Sequence, residues 1–282
     1  MISKCLFPAA GYGTRFLPLT KSMPKEMIPI LNKPLIHYGV EEALAAGASE
    51  IAFVTGRGKR AIEDYFDYSY EIEKEVEGTQ KAKLLDEIHY ITDRCTFSYT
   101  RQTQIRGLGH AILSGETLIG GQPFAVILSD DLCEHQGKGV LAQMMDVYDR
   151  HRCCVVAIES VPIEKINMYG CVNGTKLEDR VLSVDTIIEK PKPDEAPSNL
   201  GVIGRYILTP DIFEILKNLE PGYGGEIQLT DALMEKASQG RLVAYQFRGT
   251  RFDCGSIEGF MSATEFYYRM HIKMANRLRA SV

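Results

Sequence analysis

Apolar runs of strand length alternate with amphipathic stretches of helix length, and the alternation begins at once. KCLFPAAG is a short apolar run bounded by a glycine loop, and it predicts a first buried strand. KPLIHYGVEEALAAGASEIAFVTG then predicts a helix opened by Pro34, a glycine stop and a second apolar strand. That order is a βαβ unit, whose two strands lie parallel with a helix on one face. Lys59 to Glu87, rich in Glu and Lys, predicts an exposed helical region, and Phe97 to Gln102 a short strand. Gly107 to Ile119 follows as a helix, and PFAVILSDD, Pro123 to Asp131, as a strongly apolar strand ending in two aspartates.

Beyond a helix over Val140 to Arg150 the pattern changes. CCVVAIESV, GCVNGT, RVLSVDTIIEKP and NLGVIGRYIL are short β-type runs broken by Gly, Pro, Asn and Asp. GGEIQLTDALMEKASQG, Gly224 to Gly240, returns to helix, RLVAYQF to strand, and Ser256 to Leu278 to one long helix. No internal repeat or low-complexity linker interrupts the chain. The expectation is an α/β fold with a Rossmann-like, mixed but mostly parallel sheet flanked by helices. A smaller β-rich region and a C-terminal helix complete it. The segments 1–150, 151–255 and 256–282 read as parts of one domain, 1–282.

At 282 residues, with 45% hydrophobic and 24% charged residues, the chain is long enough to bury a full core. Its formal charge of −5 excludes a nucleic-acid backbone or an anionic membrane as the main partner, because both call for a large basic face. Met1 to Leu6 lacks the charged and apolar regions of an export signal, and no apolar run reaches ~18 residues, so a cytoplasmic protein is expected. The seven cysteines are scattered with no C-x-x-C pair, and they read as buried thiols in a reducing compartment. Asn173-Gly-Thr175 fits a glycosylation acceptor, which carries no weight without a secretion signal.

Against this acidic background, Arg15, Lys21, Lys25 and Lys33 stand against the single acid Glu26. They follow a loop, AAGYG, that is nearly free of side chains. Gly11 and Gly13 would let the backbone approach phosphate oxygens, while Arg15 and Lys25 would supply full charges. The third glycine of G-x-G-x-x-G is missing and no G-x-x-x-x-G-K-[ST] occurs, which disfavours a dinucleotide dehydrogenase or a P-loop ATPase. Asp130 at the end of VILSDD and Asp253 in RFDCGS each follow a β-type run, so both are candidates to reach the same rim of the sheet. A pair of carboxylates beside a phosphate loop suits Mg²⁺, which takes one or two carboxylates together with substrate phosphates.

AAGYGTRFLPLTKSMPKEMIPILNKPLIHY resembles the nucleotide-binding loop of bacterial sugar-1-phosphate nucleotidylyltransferases, and within that family its uridylyl-transferring members. The resemblance continues in the same order through KAKLLDEI, RQTQIRGLGHAIL, VILSDD, MYGCV, IIEKPKPDEAPSNLGVIGRYIL, GGEIQLTDAL and FDCGS, covering Ile2 to Met270. It implies Mg²⁺-dependent transfer of a uridylyl group from UTP to glucose 1-phosphate. Residues 1–150 would mainly bind the nucleotide and 151–255 the sugar phosphate. Ala10, Gly11 and Gly13 would hold the nucleotide, Arg15 would face the β and γ phosphates, and Lys25 would neutralise the phosphate under attack. Gln102 and Gly107 match the pair that reads the base. Asp130 and Asp253 match the magnesium ligands, while Gly170, Glu189 and Lys190 match the sugar-phosphate pocket.

Several readings stay open on the residues alone. Strand alternation lets only one of Asp130 and Asp131 point at a metal. Glu226 suits either the sugar pocket or the first turn of a helix. His110 falls in a helical run, which favours a packing or capping role over proton transfer. A thymidylyl-transferring relative and a non-catalytic nucleotide-sugar-binding regulator are the alternatives. The C-terminal stretch places Phe260, Met261, Phe266, Tyr267, Met270, Met274 and Leu278 at helical spacing, so a homo-oligomer contact through this helix is expected.

Overall fold

The structure is a computed structural model and describes residues 2–280, without the side chains of Tyr223 and of residues 274–280. Its strands are β1 (Lys4–Pro8), β2 (Pro29–Ile30), β3 (Lys33–Pro34), β4 (Glu50–Thr55), β5 (Thr96–Arg101), β6 (Phe124–Ile127) and β7 (Asp131–Glu134). They are followed by β8 (Cys154–Ser160), β9 (Gly170–Glu178), β10 (Val181–Glu189), β11 (Leu200–Leu208), β12 (Leu242–Gln246) and β13 (Thr250–Asp253). Nine of them form one sheet in the order β5-β4-β1-β6-β11-β8-β12-β10-β9.

Alternation along each strand divides the core between the two faces of this sheet. Phe7 packs with Phe53, Ile36, Val40 and Met144 on one face, whereas its neighbour Leu6 packs with Ile112, Phe124, Phe213 and Leu233 on the other. Leu6 and Phe7 are wholly buried. Each such side chain is worth roughly 1.5–3 kcal/mol of apolar burial. The helix Leu35–Ala45 and the helix Val140–His151 cover the first face, and Leu108–Ser114, Ile212–Asn218 and Leu229–Ser238 cover the second.

The expectation of a mostly parallel sheet needs correction. β5, β4, β1 and β6 are mutually parallel, as is the β8/β12 pair, but β11 runs antiparallel to both β6 and β8, and β10 antiparallel to both β12 and β9. Strands from the second half thus continue the same sheet. The expected strand Pro123 to Asp131 is also interrupted: β6 stops at Ile127, the chain turns through Ser129 and Asp130, and β7 starts at Asp131 to pair with β13. Lys59 to Glu87 is broken into the short helices Arg60–Tyr65 and Tyr70–Val76 and the 3₁₀ turn Gln80–Leu84. Gly107 to Ile119 is split at Gly115, where a Cβ would come within 2.6 Å of Leu6 Cδ1. The C-terminal helix spans Ile257–Ala280. No helix among the described residues is long and apolar enough to cross a membrane.

Candidate active site

The glycine loop leaves the C-terminal end of β1 and passes through three 3₁₀ turns before β2. Gly13 has φ 66°, a left-handed conformation that an L side chain resists, and a Cβ there would crowd Lys25 Cβ at 3.0 Å. Glycine at this point therefore lets the loop close against Lys25, and Thr20 Oγ1 pins the turn by donating to Gly13 O at 2.8 Å. At Gly11 an added Cβ would meet nothing within 4 Å, so its backbone borders open space. Buried Ala10 lies behind it against Gly56, where a Cβ would come within 2.9 Å of Ala10 O.

Two cavities meet at this loop. One, of about 190 Å³, is walled by Gly11, Gly13, Thr14, Arg15, Lys25, Asp130 and Gly255. The other, of about 270 Å³, is walled by Arg15, Asp130, Asp253, Gly170, Glu189, Lys190 and Glu226, among others. Arg15 and Asp130 belong to both. Lys25 Nζ donates to Asp130 Oδ2 at 2.5 Å, and both side chains are about a quarter exposed. Burial alone would raise the Asp130 carboxyl, but the Lys25 ammonium, its hydrogen bond and the Arg15 charge outweigh it and hold the acid below its ordinary range. Burial alone would likewise lower Lys25, yet Asp130 and Glu26 hold it above its ordinary value. The pair is therefore ionised.

Asp253 reaches the same place from β13. A Cβ placed on Gly255 would lie 3.0 Å from Asp253 Oδ1, 3.2 Å from Asp130 Oδ2 and 3.1 Å from Arg15 Nη1. Two carboxylate oxygens and a guanidinium thus surround one point that only glycine leaves free. This convergence fits a hard divalent cation, which binds through one or two carboxylates and takes its remaining ligands from phosphate and water. Among the described residues no group of three His, Cys, Asp or Glu is assembled to hold a metal by protein alone.

Asp131 has a different job. Arg251 Nε donates to its Oδ1 at 2.5 Å and the Gly204 N–H to its Oδ2 at 2.6 Å, so both oxygens are engaged. Burial pushes this carboxyl up against the opposing charge of Arg251, with Asp130 and Asp253 adding to the rise. Arg251, whose side chain is 7% exposed, also pairs with Glu159 at 2.6 Å, lies 3.7 Å from Asp253 Oδ2 and stacks 5.0 Å from the Tyr169 ring centroid. Arg205 is wholly buried, held by Glu42, and donates to Leu128 O and Asp131 O at either end of the turn that carries Asp130. The sequence reading missed both arginines. Strand alternation offered one signal, since Arg251 and Asp253 are two residues apart and share a face; for Arg205 there was none.

In the second cavity, Thr230 Oγ1 donates to Glu189 Oε2 at 2.6 Å, and Lys190 Nζ lies 3.3 Å from Glu189 Oε1. Lys190 has φ 46°, which turns the chain out of β10 just before Pro191 and brings two adjacent side chains into one cavity. Gly170 borders the same space, where a Cβ would come 3.6 Å from Glu189 Oε2. Glu226 also lines it, in the loop before the helix Leu229–Ser238, and accepts from Gln228 Nε2 at 3.1 Å.

On the third side, Gln102 follows β5 and its Nε2 faces Gly107 O at 3.2 Å and His110 Nδ1 at 2.9 Å. Gly107 has φ 95°, and a Cβ there would come within 2.8 Å of Ile227 O, so this close passage of loop and loop needs glycine. Neither Gln102 nor Gly107 lines the two cavities above. In the C-terminal helix, Phe260, Phe266 and Tyr267 pack on their own domain while Met261 and Met270 are exposed; the side chains of Met274 and Leu278 lie outside the described residues.

A family model described as Nucleotidyl transferase matches residues 6–269. A curated protein of Pseudomonas aeruginosa named UTP--glucose-1-phosphate uridylyltransferase is 61% identical over 269 residues, covering 95% of this chain and 96% of that relative. A solved structure of apo-UDP-glucose pyrophosphorylase is 57% identical with a TM-score of 0.93, covering 96% of this chain and 100% of its own. Another, of UDP-glucose pyrophosphorylase complexed with UDP-glucose, is 56% identical with a TM-score of 0.89 over the same shares.

Proposed function

The chain belongs to the nucleotidyl transferase family, and from that premise we propose how its site residues divide the work. The protein transfers the uridylyl group of UTP to glucose 1-phosphate, giving UDP-glucose and pyrophosphate. The observation that carries the residue assignment is the meeting of two cavities at Arg15 and Asp130, one walled by the glycine loop and Lys25 and the other by Glu189 and Lys190. The triphosphate belongs in the first and the sugar phosphate in the second, so their reacting groups meet at the shared wall.

A phosphate monoester has its second pKa near ~6, so the attacking oxygen of glucose 1-phosphate is already ionised at neutral pH and requires no general base. That oxygen forms a bond to the α-phosphorus of UTP, and the bond from the α-phosphorus to the bridging oxygen breaks with its electron pair leaving on pyrophosphate. The chain must align two polyanions and stabilise the departing charge. Lys25 serves the phosphorus under attack and Arg15 the β and γ phosphates, while the backbone at Ala10, Gly11 and Gly13 lets the nucleotide approach. Lys190 holds the sugar phosphate, and Glu189, fixed by Thr230, accepts from sugar hydroxyls beside Gly170. Asp130 and Asp253 would hold Mg²⁺, which neutralises phosphate charge in the bound and departing groups. Gln102 and Gly107 read the base.

The free cysteines support a cytoplasmic setting, and the exposed Met261 and Met270 support a subunit contact through the C-terminal helix, which light scattering at micromolar concentration would test. Purified protein given UTP, glucose 1-phosphate and Mg²⁺ should release pyrophosphate and run in reverse. Release without added divalent metal, after chelation, would remove the metal from this reading.

A further inference from the structure

The backbone N–H of Gln102 donates to Thr55 O at 2.9 Å, so the base of this side chain is fixed at the rim of β4 and β5. Its terminal amide is fixed as well. Gly107 O, 3.2 Å away, can only accept, so the end of the amide facing it is the NH₂ group. The second N–H of that group meets His110 Nδ1 at 2.9 Å, which requires a lone pair on Nδ1 and places the imidazole proton on Nε2. Burial and the charge of Arg106 hold His110 below its ordinary value, in keeping with a neutral ring. Both amide donors are then used, and Oε1 has no hydrogen-bond partner among the described residues.

We propose that His110 is a positioning residue for base choice: it latches the Gln102 amide so that only its oxygen faces the bound base. This rests on the reading of Gln102 as the residue that meets the base. A fixed acceptor suits the N3–H of uracil and opposes the N3 lone pair of cytosine. An unlatched glutamine could rotate by half a turn and offer its NH₂ to cytosine instead. With His110 in the Nε2–H tautomer that rotation sets Oε1 against two acceptors, Gly107 O and His110 Nδ1. Thymine shares the N3–H of uracil, so the latch separates UTP from CTP and not from dTTP.

Steady-state kinetics with UTP and CTP on three kinds of variant test this. His110→Phe keeps a ring without an acceptor, with His110→Leu as a second acceptor-free variant should the first misfold. His110→Gln restores an acceptor, and Gln102→Leu removes the reader. One latch hydrogen bond corresponds to about a tenfold fall in the UTP-to-CTP ratio of kcat/KM. In His110→Phe the loss should fall in KM for UTP rather than in kcat or in KM for glucose 1-phosphate, and His110→Gln should recover most of it. An unchanged ratio in His110→Phe beside a collapsed ratio in Gln102→Leu would overturn the latch and leave Gln102 as reader. Unchanged ratios in both would overturn the reading of Gln102 and the latch with it. A uniform loss in every parameter that His110→Gln does not recover would reduce His110 to a packing residue and also overturn the proposal.

Discussion

Asp131→Asn separates the two neighbouring aspartates most sharply. Asp131 presents one oxygen to Arg251 Nε at 2.5 Å and the other to Gly204 N–H at 2.6 Å. Asparagine keeps the shape but offers one oxygen and one NH₂, so one of these donors must face another donor. The Arg251 guanidinium, almost fully buried, also loses a charged partner and keeps Glu159 at 2.6 Å. Removing one member of a buried ion pair costs about 3–5 kcal/mol, and the surviving Glu159 contact argues for the lower end, about 3. For a chain of this size that corresponds to roughly 5 °C in melting temperature.

Asp130→Asn should behave in the opposite way. Its side chain is 27% exposed and its partner Lys25 is 23% exposed, so breaking their pair should cost less than breaking the more deeply buried Arg251–Asp131 pair. Turnover should collapse, because an amide oxygen lacks the charge that holds a hard cation. Scanning calorimetry on both variants, with turnover measured at 20 °C where each stays folded, gives the comparison. An Asp131→Asn protein that melts within about 2 °C of wild type and needs far more Mg²⁺ would refute the reasoning, since it would make Asp131 the metal ligand.

Lys25→Ala should lower kcat more than it weakens UTP binding, because Arg15 and the loop backbone share the ground-state charge while the departing charge falls on Lys25; equal kcat with weaker UTP binding by calorimetry would assign it to capture alone. Lys190→Ala should raise KM for glucose 1-phosphate about tenfold to hundredfold, the worth of a charged hydrogen bond, and leave KM for UTP nearly unchanged; an equal loss for both substrates would remove Lys190 from the sugar-phosphate site. Asp211, which lines neither cavity, is pushed up by burial but held below its ordinary range by the Lys236 hydrogen bond, Thr209 and the charges of Lys236 and Arg241. A carboxyl depressed in the folded state stabilises above its unfolded value near 3.8 and loses that contribution as pH falls through the folded value, so Asp211→Asn should melt lower than wild type at pH 7 and converge with it in acid. A melting difference that stays constant from pH 7 to pH 2 would rule this out.

The parts of the fold written in local pattern were legible, and those set by distant pairing were not. KCLFPAAG and EIAFVTG were found as strands because apolar residues fill both faces of the sheet there, and β1 pairs with β4 in the expected parallel direction. β11 carries the same signature, with every residue from Gly201 to Leu208 buried, yet it runs antiparallel to its neighbours. Burial on both faces produces a continuous apolar run whichever way a strand points, so direction leaves no mark in it. The break after Ile127 was hidden for a related reason: β7 exists because β13, some hundred residues later, pairs with it. Local pattern supplied Arg15, Lys25, Asp130 and Asp253, and the family resemblance supplied Glu189 and Lys190; all six line the joined cavities. Arg205 and Arg251 lie inside the matched stretches, but their partners Glu42, Asp131 and Glu159 lie on other elements, so local pattern does not show what they hold.

Charge gives an independent reason for a metal in this site. The walls of the two cavities carry the cations Arg15, Lys25, Lys190 and Arg251 and the carboxylates Asp130, Asp131, Asp253, Glu189 and Glu226, so cations hold no surplus. Three of the four are already paired, Lys25 with Asp130, Arg251 with Asp131 and Glu159, and Lys190 with Glu189. A triphosphate and a sugar phosphate brought into such a site add several negative charges with little positive charge to receive them. Arg251 is locked in structure and cannot turn to a substrate without abandoning Asp131. Lys25 can be released only if something else neutralises Asp130, and a divalent cation on Asp130 and Asp253 would do so. On this argument the metal would have two effects, shielding phosphate and freeing Lys25 to meet the phosphorus. The Lys25–Asp130 pair would then be the resting form of the site, and its positive charge would stay on a carboxylate until a metal and the nucleotide were bound.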